Sequence, residues 1–319
     1  MKAALLSKPR RVELVETQLE DVGSHQVRLR IEQCGLCASE LDLWLGKSPE
    51  KLPTQIGHEV AGTIEEVGSE VETLHPGDRV AGWLEAGGFA EQAVLHENHC
   101  VKVSSHVSYP AVAEPLACVV NAVELASPAL ADNVVIIGAG YMGTLIQIVT
   151  SLKGPRSITV MDTRPDALAR ASELGATRVV NVERESPLEL VDEVTEGQGA
   201  DITYEVTGVG PGLDLATDVT RMGGKLCIVG FHQGSSRSVN LARWNWMALD
   251  IVNAHFRDIE TIMRGMRAGI RLVNAGVVDV SHLVTDIFPL ERIDDAFALA
   301  MSKPDGFLKA VVDVNGLSA

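Results

Sequence analysis

Asn133-Val-Val-Ile-Ile-Gly138-Ala-Gly140-Tyr141-Met142-Gly143 is a continuous apolar run that breaks into three spaced glycines. An apolar run without alternation suits a parallel strand buried on both faces. The glycines then have separate tasks in a dinucleotide-binding turn. Gly138 permits the tight turn, Gly140 lets a pyrophosphate approach the backbone, and Gly143 lets the following helix pack on the strand. Tyr141 and Met142 open that helix, whose N-terminus offers free N–H groups and a positive dipole end to the phosphates. Asp162 lies about 20 residues on, where the ribose of a nucleotide is contacted. A carboxylate there accepts hydrogen bonds from a free 2′-hydroxyl and repels a 2′-phosphate, which favours NAD over NADP. Arg164 is the discordant neighbour; it suits a phosphate, but it reads equally as a solvated surface arginine, and that reading is preferred.

Downstream, strand and helix patterns alternate. Strand candidates are 157–162, 178–181, 200–206 and 225–229, and a helix fits 165–175, with Pro165 in its first turn and Gly175 as its C-terminal cap. Alternating β and α at crossover spacing gives a doubly wound parallel sheet. Thr207 and Gly230 fall at later strand ends, where open parallel sheets bind ligands. Upstream the texture differs. Residues 1 to about 120 read as short, half-buried strands with glycine turns, for instance 26–31, 60–64 and 89–94, which suggests a small β-rich domain. A tail from about 257 holds a helix and a final strand within 307–314.

The 319 residues are enough for two domains, and 46% hydrophobic with 22% charged residues is the composition of a soluble globular chain. A net charge of −16 repels nucleic acid and anionic membranes, so neither is expected as a partner. The first residues meet Arg10 and Arg11 too early for a signal-peptide core, and no apolar run reaches membrane-spanning length. Five irregularly spaced cysteines argue against a disulfide framework and for a reducing cytoplasm.

Within the β-rich part, Gln55-Ile-Gly57-His58-Glu59-Val-Ala-Gly62 follows Cys34-Gly-Leu-Cys37-Ala-Ser39-Glu. Thiolate, imidazole and carboxylate are the ligand types of a catalytic zinc that keeps one position open. With Gly77-Asp-Arg-Val80, these motifs resemble the zinc-dependent medium-chain dehydrogenase/reductase family, closest to its polyol (sorbitol) and threonine dehydrogenase branch. The resemblance spans nearly the whole chain. It implies an α/β protein with a GroES-like β-rich catalytic domain (1–122), a Rossmann doubly wound parallel-sheet domain (123–257) and a C-terminal segment (258–319) whose strand returns to the catalytic domain.

The resemblance also implies roles. Cys37 and His58 are the expected zinc ligands. Glu59 fits two roles, direct ligand or orienting neighbour, and Glu114, in a Glu-Pro-Leu motif, matches a position that contributes a ligand or holds the zinc-bound water. Ser39 matches the hydroxyl that passes a proton from the substrate, and Asp42 stands where many relatives have a histidine further along that relay. Arg257, in His-Phe-Arg, resembles a segment beside the active site of polyol relatives, or is a surface residue at a helix start. Lys309 matches a basic residue near the cofactor phosphates. Many relatives hold a second zinc on four cysteines after the Gly-Asp-Arg-Val motif; no cysteine lies between Cys37 and Cys100 here, so one zinc per chain is expected.

The expected activity is NAD-dependent oxidation of a secondary alcohol: a polyol, sugar derivative or hydroxy amino acid. A zinc-free quinone or enoyl reductase and a non-catalytic nucleotide-binding protein are the alternatives, and the Cys, His and Glu set speaks against both. Relatives pair through edge strands of the nucleotide domain, so a homodimer or homotetramer is expected, with residues 250–254 as the candidate edge.

Overall fold

A computed structural model describes residues 1–48, 51–234 and 236–315. The chain divides into two compact units, one of Met1–Ala117 with Met263–Ala319 and one of Cys118–Ile262.

The first unit begins with β1 (Lys2–Lys8), β2 (Arg11–Glu16) and β3 (Gln26–Gly35), then a short helix α1 (Ser39–Trp44). Strands β4 (Thr54–Gln55), β5 (Glu59–Val67), β6 (Arg79–Trp83), β7 (Gln92–His96) and β8 (Cys100–Lys102) follow, and α2 (Ala113–Ala126) leads into the next segment. The expected strand at 89–94 is displaced: Ala90 makes only an isolated bridge to Ala3, and regular pairing with β3 starts at Gln92.

The second unit alternates without exception: β9 (Asn133–Ile137), α3 (Tyr141–Ser151), β10 (Ser157–Asp162), α4 (Pro165–Glu173), β11 (Arg178–Asn181), α5 (Pro187–Thr195), β12 (Ala200–Glu205), α6 (Gly210–Val219), β13 (Thr220–Ile228), α7 (Leu241–Trp246) and β14 (Asp250–Asn253). All its strand pairs are parallel, in the order β11-β10-β9-β12-β13-β14. Strand order therefore reverses between β9 and β12, the switch point at which such sheets bind ligands. Val135, Ile137, Met161, Val180 and Leu226 build its core with Leu213 and Val219 of α6. Helix α4 ends as expected of its glycine: Gly175 has φ +85°, and the N–H groups of Gly175 and Ala176 donate to Ser172 and Ala171 at 3.0 Å each.

Helix α8 (Ile259–Asn274) leads to the C-terminal elements β15 (Asp286–Pro289), α9 (Ile293–Ser302) and β16 (Ala310–Asp313). Strand β16 lies between β15 and β3 in a seven-stranded sheet, order β15-β16-β3-β5-β6-β8 with β7 also on β3. Val312 and Phe297 join Leu29, Ile31 and Ile64 in that unit's core. Trp44 is part of it: the indole stacks on Phe297 and donates to Asp294 at 2.9 Å. No helix among the described residues is long and apolar enough to cross a membrane.

Candidate active site

The motif around His58 is built by close backbone approach. Gly57 has φ +97°, and a Cβ there would fall 2.6 Å from Phe89 N. Gly35 faces Glu59 across the β3–β5 register, and its Cβ would fall 1.9 Å from Glu59 Oε2. Gly35 thus leaves the volume that the Glu59 side chain fills, and Gly57 lets the Gly88–Phe89 backbone approach beside His58. Cys37, in the turn before α1, meets His58 and Glu59 at the start of β5, and one donor atom from each lies within 4.8 Å of the others. Glu114, at the start of α2, does not join that group.

Charge around the group is arranged in depth. Glu40 is buried in α1; its carboxylate accepts the Gly57 N–H at 2.5 Å and lies 3.5 Å from His58 Nδ1. That leaves Nε2 for a metal and fixes the ring's orientation from behind. Burial works against the His58 imidazolium, but hydrogen bonding to Cys37 and Glu40 and their negative charge outweigh it, so its pKa is raised well above the usual value. The neighbouring Cys34 thiol is pushed well up, by burial first and then by Glu40 and Glu59. A thiol held protonated is a poor ligand, which agrees with Cys37 as the donor.

Lys309, expected near the cofactor phosphates, has its ammonium buried beside the zinc-type cluster. It donates to Leu36 O at 2.9 Å and stands 2.8 and 2.6 Å from the two oxygens of Glu59. Burial alone lowers its pKa, but the charges of Glu59 and Cys37 and the Glu59 hydrogen bond reverse this, and the net shift is upward. It therefore remains an ammonium ion and balances the fully buried Glu59 carboxylate.

Ser39 is exposed at the first turn of α1, its hydroxyl 3.2 Å from Cys37 Sγ. Asp42 follows one turn later, half-buried. Glu40 was not legible as a site residue, because an acid in a first helical turn is ordinary dipole compensation. Only the fold turns its carboxylate toward His58.

The second unit carries the nucleotide-type site at the carboxyl ends of its strands. Gly138 has φ +104°, a Cβ at Gly143 would lie 1.8 Å from Gly138 O, and a Cβ at Gly140 would meet nothing within 4 Å. The turn is thus closed toward the strand and open at Gly140, the cradle a pyrophosphate needs. Tyr141 and Met142, half-buried, form the first turn of α3. Asp162, at the end of β10, accepts the N–H of Ala139 at 2.7 Å and of Arg164 at 2.9 Å. One carboxylate thereby ties the glycine turn to the loop that would meet the ribose.

Thr207 and Gly230 sit in the loops after β12 and β13, joined by a residue the sequence did not single out. Glu205 is fully buried; it accepts N–H bonds from Thr207 at 2.7 Å and Gly208 at 3.0 Å, and also the Thr207 hydroxyl. His232 Nε2 lies 2.9 Å from its other oxygen, and Arg237 Nε donates to His232 Nδ1 at 3.3 Å. With Nδ1 accepting, the imidazole is the neutral tautomer that donates from Nε2 to Glu205. Gly230 fits because any Cβ would be 2.2 Å from Gly208 N. Arg257 is exposed, its guanidinium 5.9 Å from the Phe231 ring, which also contacts His255.

Known proteins match both units. The family description "alcohol dehydrogenase GroES-like domain" fits residues 23–105, and "zinc-binding dehydrogenase" fits residues 140–272. Sorbitol dehydrogenase of Bacillus subtilis is 28% identical over 99% of this chain and 98% of its own length. L-idonate 5-dehydrogenase of Vitis vinifera is 29% identical over 88% of this chain and 86% of its own. Among solved structures, an alcohol dehydrogenase from Thermus sp. ATN1 matches with a TM-score of 0.88 at 25% identity, over 99% of this chain and 100% of that one.

Proposed function

The chain belongs to the zinc-dependent medium-chain dehydrogenase/reductase family, and from that premise we propose that it moves a hydride between a secondary alcohol and NAD. The alcohol is a polyol, a sugar derivative or a hydroxy amino acid. The names of the curated relatives support a polyhydroxylated substrate. The observation that carries the reading is the convergence of Cys37, His58 and Glu59 within 4.8 Å. Thiolate, imidazole and carboxylate at that separation fit a zinc ion with three protein ligands and one open position. Glu59 and Glu114 are both candidates for the third ligand; Glu59 lies in the converging group with the Lys309 ammonium on its carboxylate, and Glu114 stands outside it.

When bound, zinc supplies Lewis acidity that makes the alcohol proton easier to remove. The remaining work belongs to the chain. Glu40 holds the His58 ring and the Gly57 backbone in place. Ser39 offers a hydroxyl beside Cys37 to take the substrate proton outward, and Asp42 or water receives it next. The Gly138–Gly143 turn binds the pyrophosphate, Asp162 reads the adenosine ribose, and the loops organised by Glu205 bring Thr207 and Gly230 to the nicotinamide side. Arg257 is proposed as a contact to substrate or cofactor. We further read the protein as a cytoplasmic homodimer or homotetramer.

The test is elemental analysis together with NADH formation over a panel of polyols, inositols, sugar alcohols and hydroxy amino acids. One zinc per chain and turnover with at least one member are expected. Metal-free protein that reduces quinones or enones with a nicotinamide cofactor would replace this reading with the zinc-free one.

A further inference from the structure

Beside Asp162 lies a group of charges that the ribose contact does not use. Arg164 occupies the position before α4, and Asp166 and Arg170 lie one turn apart on that helix, on the same face. Arg164 Nη1 is 3.8 Å and Arg170 Nη2 is 4.0 Å from the same Asp166 oxygen, and Arg164 Nε is 3.9 Å from Asp162 Oδ1. These are ion-pair distances, too long for hydrogen bonds. Arg164 Nη1 and both Nε and Nη2 of Arg170 are shielded from solvent and find no hydrogen-bond acceptor. The Arg170 side chain is only 16% exposed, and burial pulls its pKa down against the upward pull of Asp166. Shielded guanidinium donors without a hydrogen-bond acceptor are uncommon in native proteins; here Asp166 is the carboxylate they share at ion-pair distance, and the oxygens of a phosphate would match the same donors.

We propose that Arg164 and Arg170 form a latent receptor for a ribose 2′-phosphate, and that Asp166, by holding both guanidinium groups, keeps the nucleotide site selective for the unphosphorylated dinucleotide. This rests on the reading that Asp162 meets the adenosine ribose, and extends it to Arg164, Asp166 and Arg170. Glu173 also acts on Arg170, so two arginines face three carboxylates and the cluster as it stands offers a 2′-phosphate no net attraction. Neutralising Asp166 removes the carboxylate that both guanidinium groups share, and a planar guanidinium pair is well suited to phosphate oxygens.

The experiment measures direct binding, by calorimetry, of adenosine 2′,5′-bisphosphate against 5′-AMP, and by fluorescence of NADPH against NADH. It compares wild type, Asp166→Asn, and Asp166→Asn carrying Arg164→Gln and Arg170→Gln. In Asp166→Asn the preference for the 2′-phosphorylated ligand should rise at least about tenfold, and it should return to the wild-type ratio once the arginines are replaced. Asp166→Ser should give the same rise if the asparagine variant folds poorly. An unchanged ratio in a folded Asp166 variant, or a gain that survives loss of both arginines, overturns the proposal. Wild type binding NADPH more tightly than NADH would overturn the Asp162 reading instead, and the Asp166 comparison would still decide the role of the arginines.

Discussion

Glu59 is the residue on which the local energetics turn. Its carboxylate is 1% exposed, and Lys309 is the cation within hydrogen-bond reach. Removing one member of a buried pair leaves a charge without compensation, at a cost of about 3–5 kcal/mol. Lys309→Met should therefore lower the unfolding free energy by about that amount in urea titration, and adding Glu59→Gln should restore most of it. Equal destabilisation in the double variant would mean that Lys309 acts by packing alone. Cys37 and His58 carry a different prediction: alanine at either should release zinc and abolish alcohol oxidation, while NADH still binds, because the nucleotide-type turn belongs to the other unit. Retained turnover without metal would refute the proposed chemistry. Cys37 and His58 were legible in the sequence because soft and borderline ligands beside spaced glycines form a local pattern. Glu40, Glu205 and the ion pair of Lys309 were not: an acid in a first helical turn or at a strand end carries no local signal, and Lys309 is 250 residues from Glu59.

For whole elements, the junction of β9 and α3 is the most constrained. A methyl group at Gly143 would lie 1.8 Å from Gly138 O, a backbone atom that cannot swing aside. Gly143→Ala should push α3 away from β9, reduce NADH affinity by at least about tenfold and destabilise the second unit by about 1–3 kcal/mol. Normal NADH titration of that variant would show that helix and strand need not pack so closely. Elements with a strong local signal were readable: β9 as an apolar run, α4 from its proline and glycine. Strand β13 starts at Thr220 rather than the expected 225, because the glycine pair 223–224 reads as a turn, while the structure absorbs it in a strand whose pairing to β12 shifts register. Helix α9 went unread although Ile293, Ala296, Phe297 and Ala300 recur at helical spacing and are all buried. Its acidic first turn and small alanines weakened the apolar signal.

Across the whole molecule, two countable properties follow. Among the described residues a single group of three metal donors converges, and elemental analysis should find one zinc per chain; two would require ligands from elsewhere. Association is the second. Strand β14 ends the parallel sheet, and an unprotected edge invites pairing with another chain. Trp246, in the helix before that strand, is 76% exposed, and Leu241 and Met222 are also exposed. Trp246→Asp should shift the protein toward monomer in light scattering at micromolar concentration. A wild type that is already monomeric there would dispose of the edge-pairing idea.

The split of the first unit bears on the order in which the chain acquires structure. Strand β16 sits inside its sheet, flanked by β3 and β15, so the first hundred residues cannot complete that sheet until the last strand is available. The intervening segment, Cys118–Ile262, is contiguous and wound from neighbouring β and α elements. During synthesis it has all its pairing partners early, while β3 waits with an open edge. Closing so long a loop adds only slowly to the entropic cost, but non-local pairing delays folding and leaves strand edges exposed meanwhile. The nascent strands that precede Cys118 are therefore the segment most in need of chaperone protection, and the arrival of β16 ends that need.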